Sequence, residues 1–173
     1  MAAYQVNDTV VYGPHGVCKI TEISERDMTG RPMEYYVLKP IYYDTSTIFV
    51  PSGNEALTSK MRPVLSADEI DELIKDMPEE NYTWIDDENE RKAKYRDTLS
   101  GGDTQDLVRL VQALYLRKES QTSKGKKLRY ADENILKDAE RVLNEEFAHA
   151  FNIKREQVAS FIRRKLREAG KQP

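Results

Sequence analysis

Cysteine and histidine are nearly missing from this sequence, and long apolar runs are missing altogether. One cysteine, Cys18, and two histidines, His15 and His149, occur in 173 residues. That excludes an internal disulfide framework and any zinc spacing. No apolar run approaches the roughly 20 residues of a membrane-spanning helix, and Met1 to Val11 contains no basic segment leading into an apolar one. A cytoplasmic protein with no membrane association is therefore expected. Excess charge of one sign is lacking too: 27 bases against 30 acids give a formal net charge of −3. Autonomous DNA binding by bulk electrostatics is disfavoured, because sequence-independent affinity comes from neutralising phosphates. There is no phosphate-cradling glycine loop, no metal constellation and no Ser, His and Asp set, so neither enzymatic activity nor a cofactor is expected. His15 lies among turn residues, where its ring is expected to bond backbone. Cys18 alternates with Val17 and Lys19 as in a strand and reads as a buried structural thiol rather than a nucleophile.

What is present is strongly segregated. Eleven acids between Asp68 and Glu90 face one base, Lys75. Basic clusters follow at Arg91, Lys92, Lys94 and Arg96; at Lys124, Lys126, Lys127 and Arg129; and from Lys154 and Arg155 through Arg163, Arg164, Lys165 and Arg167 to Lys171. Each could be an ordinary solvated face. Together they fit DNA contact assisted by a partner.

Residues 1–64 read as β. Val10-Val11-Tyr12 runs into the turn Gly13-Pro14-His15-Gly16, and Val17 to Ile23 alternates. Asp27-Met28-Thr29-Gly30 turns again, and Tyr35 to Ile41 and Thr47 to Val50 are β-rich. About five short, evenly spaced strands predict a small SH3-like or Tudor-like barrel, whose closure would hide the exposed edges. Pro40 and Pro51 are expected at strand ends, bulges or an edge. At Ser66-Ala67-Asp68-Glu69 a capping box opens a helical region, residues 65–173. A short helix with Ile70, Leu73, Ile74 and Met77 inward is stopped by Pro78. A second runs from near Asp86 to Ser100-Gly101-Gly102, where glycine would take the left-handed cap. A third follows the Asp103 cap with Leu107, Leu110, Val111 and Leu114 on one stripe. Glu119 to Arg129 reads as an exposed, mobile loop. A fourth helix carries Ile135, Leu136, Ala139, Val142, Leu143 and Phe147, and a fifth Val158, Phe161, Ile162 and Leu166. The fold class is thus α+β by segregated domains, a β-barrel followed by an all-α bundle of about five helices.

Trp84, the single tryptophan, sits in Asn81-Tyr82-Thr83-Trp84-Ile85 at an element boundary. It is either a core or staple residue or an exposed wedge that stacks on a kinked base step, with Arg91, Lys92 and Lys94 reaching phosphates one to two turns on.

The run Tyr4-x-Val6-x-Asp8-Thr9-Val10-Val11-Tyr12, with His15-Gly16, Gly30 and Tyr35-x-Val37-Leu38-Lys39, resembles the polymerase-interaction domain of the CarD/CdnL family, a domain shared with the transcription-repair coupling factor. The second half is similar to the same family through Trp84, Arg91, Leu99, Gly101-Gly102-Asp103, Leu128 and Leu136-x-x-Ala139-x-x-Val142-Leu143-x-x-Glu146-Phe147-Ala148. The resemblance implies that the barrel grips the RNA polymerase β subunit, largely strand edge to strand edge. It also implies that the tryptophan wedges into the minor groove at the upstream edge of the transcription bubble. The matching partner-binding positions are Arg26, Thr47, Ile48, Phe49, Val50 and Pro51. The matching DNA-contacting positions are Trp84, Arg91, Lys92, Lys94 and Lys127. Phe49 stands where relatives can carry an arginine before Val-Pro, so an apolar anchor is expected there. The stretch from Trp84 to Arg91 is about one helical turn longer than in some relatives, which leaves the register of the basic residues on phosphates open.

Other readings compete. The helices flanking Phe151-Asn152-Ile153-Lys154 could form a helix-turn-helix, but the bases at Arg163, Arg164, Lys165 and Arg167 lie toward the C-terminal end of the second helix, where they complement its dipole. A Tudor-like barrel that binds peptides without touching DNA is the main rival. On the preferred reading the free chain is a monomer that binds promoter DNA weakly, because polymerase supplies local concentration.

Overall fold

The structure, a computed structural model, describes residues 4–43, 46–76, 84–168 and 170. The first half is a five-stranded antiparallel sheet: β1 (Thr9–Tyr12), β2 (Val17–Asp27), β3 (Pro32–Pro40), β4 (Ile48–Pro51) and β5 (Met61–Pro63), in the order β4-β3-β2-β1-β5. The expected strands, turns and proline positions are in place. Gly30, at φ +90°, donates its N–H to the Asp27 carboxylate at 3.0 Å, and Pro40 and Pro51 end β3 and β4. Closure into a barrel is not part of the pairing among the described residues: the ladder begins at β4 and ends at β5.

Within the same half lies a short helix, α1 (Glu55–Thr58). Five helices follow: α2 (Ala67–Lys75), α3 (Glu88–Gly101), α4 (Thr104–Ser123), α5 (Tyr130–Phe151) and α6 (Val158–Glu168). Most begin where a side chain accepts an orphan N–H. Ser66 and Glu69 form the reciprocal box expected, and Asp87 and Asp103 accept from Glu90 and Asp106 at 2.9 and 2.8 Å. Met77, Pro78, Asn81, Tyr82 and Thr83, to which the sequence reading gave a stop and a boundary, lie outside the described residues, as does Lys171. No described helix is long and apolar enough to cross a membrane.

Two expectations are corrected. Helix α4 continues through the first part of the segment read as a loop, to Ser123, leaving 124–129 non-helical; Thr122 and Ser123 bond back to the carbonyls of Lys118 and Ser120. The left-handed glycine stop belongs to Gly125, at φ +73°, where Lys126 N–H reaches Gln121 O and Gly125 N–H reaches Thr122 O, the two bonds of a Schellman motif. Gly101 is still helical and Gly102 is extended at φ −73°. Glycine suits position 102 for space, since a Cβ would lie 2.6 Å from the Thr98 carbonyl oxygen.

Alternation along β1 and β2 joins the two halves. Val10, Cys18 and Ile20 turn into a cluster inside the sheet with Tyr12, Tyr36, Leu38, Val50 and Met61, while Val11 and Val17 point the other way. They enter a larger cluster with Ile70, Leu99, Leu107, Leu114, Leu136, Val142, Phe147 and Val158, so the hydrophobic core continues from sheet to helices. Cys18 is fully buried, and burial pushes its thiol up to about 12, in keeping with a structural role.

Helix α5 is the centre of the junction, and its acids Glu145 and Glu146 are fully buried. Glu145 accepts the Val17 N–H at 3.2 Å and an Arg141 N–H at 3.0 Å, and Arg141 also donates to the Pro14 carbonyl. Glu146 takes a two-pronged bond from Arg62 at 2.8 and 2.9 Å, the Leu65 N–H at 3.0 Å and the Thr104 hydroxyl at 3.0 Å. Burial raises the Glu145 pKa, only partly opposed by the Val17 and Arg141 bonds. A raised folded-state pKa means that Glu145 contributes stability fully below the ordinary carboxylate range, and that this contribution is lost as pH rises through the raised value. Glu145→Gln, which imitates the protonated acid, should therefore gain on the wild type as pH rises through that window and match it in acid. Urea midpoints across pH would show this. Nearby His15, lowered chiefly by burial and then by Arg141, titrates in the opposite sense but is common to both proteins.

Candidate nucleic-acid and partner interface

Trp84 stands just ahead of α3, half-buried. Two guanidinium groups approach its ring, Arg91 from α3 at 4.6 Å from the centroid and Arg117 from α4 at 4.9 Å, and Tyr95 meets it edge-on at 6.4 Å. The guanidinium contacts hold the indole by its π system, and the ring also packs against the helical core cluster. Asp86, Glu88, Gln121, Leu128, Arg129 and Asp132 line the rest of the concavity.

The expected phosphate contact at Arg91 is corrected. Arg91 is buried, its Nε and Nη2 bonded to the two Asp132 oxygens at 3.0 and 2.9 Å, while Nη1 donates to the carbonyls of Ile85 and Asp86. Burial opposes its charge, yet the bonds to Asp132 hold its pKa above the ordinary value. The side chain is spent on pinning residues 84–86 to the first turn of α5, and no arm is left for DNA. Lys92 is half-exposed and paired with Glu88 at 3.2 Å, a surface contact weak enough to exchange for a phosphate. Lys94 and Lys127 are exposed and form no ion pair among the described residues; Lys126 is exposed as well, and Arg129 lines the concavity beside Trp84, bonded to Glu88 at 2.9 Å. Arg117 and Asp132 were not foreseen, since each meets its partner only through packing of distant helices.

The second site is the outer strand. β4 pairs with β3 alone, Val50 opposite Tyr36 and Phe49 opposite Val37. Strand periodicity places Thr47, Phe49 and Pro51 on one face and Ile48 and Val50 on the other. Val50, one of the expected partner-binding positions, is fully buried, so a partner would meet only its backbone there, and Ile48 packs against the same cluster. On the open face the Arg26 guanidinium lies 5.3 Å from the Phe49 ring and bonds Glu22 and Ser24 at 3.0 and 3.2 Å. Phe49 meets Tyr35 edge-on at 6.4 Å, and Met28 and Met33 are exposed nearby in sequence. Arg26 and Phe49, far apart in the chain, thus form one apolar and cationic patch beside an unpaired strand edge.

Family models match both halves. The CarD-like/TRCF RID domain covers residues 4–65, and the CarD C-terminal domain covers residues 71–163. The chain belongs to the CarD/CdnL family. The β4 patch falls inside the first match and Trp84 inside the second. In this CarD/CdnL chain Lys165 of the late basic cluster pairs with Asp71 of α2 at 3.2 Å and Arg164 lies over Phe161, while Lys154, Arg155, Arg163, Arg164 and Arg167 are exposed. The His15 ring stacks on Tyr12 at 5.8 Å rather than bonding backbone, while its carbonyl accepts from Tyr43.

Proposed function

We propose that this CarD/CdnL chain is a transcription regulator that docks on the β subunit of RNA polymerase through β4 and its flanking patch, and stabilises the open promoter complex with Trp84. The observation that carries this reading is a half-buried indole contacted by two arginines just ahead of the helix that carries Lys92 and Lys94, in a chain whose other half matches an RID domain. Main-chain bonding along β4 supplies affinity, and Arg26, Phe49, Thr47 and Pro51 supply choice of partner. Trp84 stacks on a base step at the upstream edge of the bubble, and Lys92, Lys94 and Lys127 meet phosphates around it. The protein shifts the closed-to-open equilibrium because it binds the melted complex better than the closed one; equal affinity for both would shift nothing. Free duplex is bound weakly.

Arg26→Glu removes the cation over Phe49 and sets a second acid beside Glu22. Binding to the isolated β subunit, measured by titration, should weaken roughly tenfold or more. Unchanged affinity would place the interface elsewhere.

A further inference from the structure

Glu145 and Glu146 belong to neither the Trp84 concavity nor the β4 patch, yet they are among the largest fully buried side chains of the molecule. Between them they bond β2 at Val17, β5 at Arg62 and the connecting residue Leu65. A buried ion pair gains little net stability over apolar packing, because desolvation offsets attraction. What a two-pronged arginine bond does supply is a single geometry. The turn before β2 is fitted as closely. A Cβ on Gly16, at φ +78°, would collide with the Glu145 carboxylate, and one on Gly13, at φ +48°, would lie 2.8 Å from the Ser100 carbonyl oxygen.

Two helices carry this junction to the indole. Helix α5 holds Arg91 through Asp132 in its first turn and meets the sheet through Glu145 and Glu146, about 20 Å along at 1.5 Å per residue. Helix α3 starts beside Trp84 and abuts Gly13 near its other end. We infer that Glu145 and Glu146 are positioning residues that lock the sheet to the helical half in one orientation, so that a partner gripping β4 dictates where Trp84 is held. The lock depends on the geometry alone; its consequence for DNA rests on the proposed function.

The test uses the full chain carrying Arg62→Met with Glu146→Gln. The pair leaves no buried charge unmatched, and the amide oxygen can still accept from Leu65 and Thr104. Spin labels at Glu55→Cys and Asp97→Cys, both exposed positions, report the distance between the halves, while Cys18 is too buried to label. The otherwise unaltered chain should give one narrow distance distribution. The double variant should fold with a similar urea midpoint and bind the β subunit with unchanged affinity. Its label distances should broaden, and its lengthening of open-complex lifetime should fall to the Trp84→Ala level. Arg62→Lys, which keeps the charge but gives up the fork, should show the same changes in part and serves if the double variant does not fold. A distribution that stays narrow overturns the lock. Broadened distances with an intact lifetime overturn its role in placing Trp84. Should the unaltered chain neither bind β nor lengthen the lifetime, the proposed function fails, and the label distances still decide the lock.

Discussion

Replacing Asp132 by alanine is expected to destabilise the chain by about 3–5 kcal/mol, the usual cost of removing one partner from a buried ion pair. Arg91 would be left charged in a site where little of its side chain meets solvent, with both prongs of its fork unmatched. Against a total stability of roughly 5–15 kcal/mol for a typical domain, such a loss should be plain in the urea midpoint. Arg91→Met combined with Asp132→Leu should cost far less, because it removes both charges at once. A small effect for Asp132→Ala alone would mean that the pair is more hydrated than its geometry implies. The substitution also bears on function, since Arg91 pins Ile85 and Asp86 and lies against the Trp84 ring. Loss of open-complex stabilisation should accompany loss of stability.

Trp84→Ala should act the other way round, with a moderate effect on folding and a large one at promoters. Stacking between a base and an aromatic ring is worth about 1 to 3 kcal/mol, so open-complex lifetime in the presence of the variant should shorten roughly five- to a hundredfold. Binding to the β subunit should survive, because β4 and Arg26 lie in the other half. Trp84→Phe retains an aromatic face and should recover part of the lifetime. Equal lifetimes for wild type and Trp84→Ala would remove the indole from the mechanism.

Local chemistry was the readable part of this sequence. The Ser66 box, the Asp103 cap and the turn at Gly30 each depend on residues within a few positions, and each was found where spacing put it. Glycine chemistry was less clear, because the left-handed requirement at Gly125 and the steric one at Gly102 look alike in sequence. Arg91 carried the basic pattern of a phosphate ligand, and its burial depends on Asp132 in another helix, 41 positions on. Nothing in the local run distinguishes the two fates. The burial of the Val50 side chain is legible locally, since alternation puts it with Ile48 on the covered face. Glu145 and Glu146 were the hardest case: acids in a helix read as solvated until the sheet that covers them is in place. Trp84 shares in both of its readings: it packs against the helical core as a core residue does, yet it stays half-buried, with two guanidinium groups on its ring.

The most direct test of Trp84 at the bubble is a photo-crosslink from position 84. A benzophenone amino acid placed there should label promoter DNA at the upstream edge of the melted region when polymerase is bound, and lose that labelling when Arg26→Glu is added or the promoter is held closed. Crosslinking that is absent from the open complex, or equally strong on closed duplex without polymerase, would contradict docking-dependent delivery of the indole.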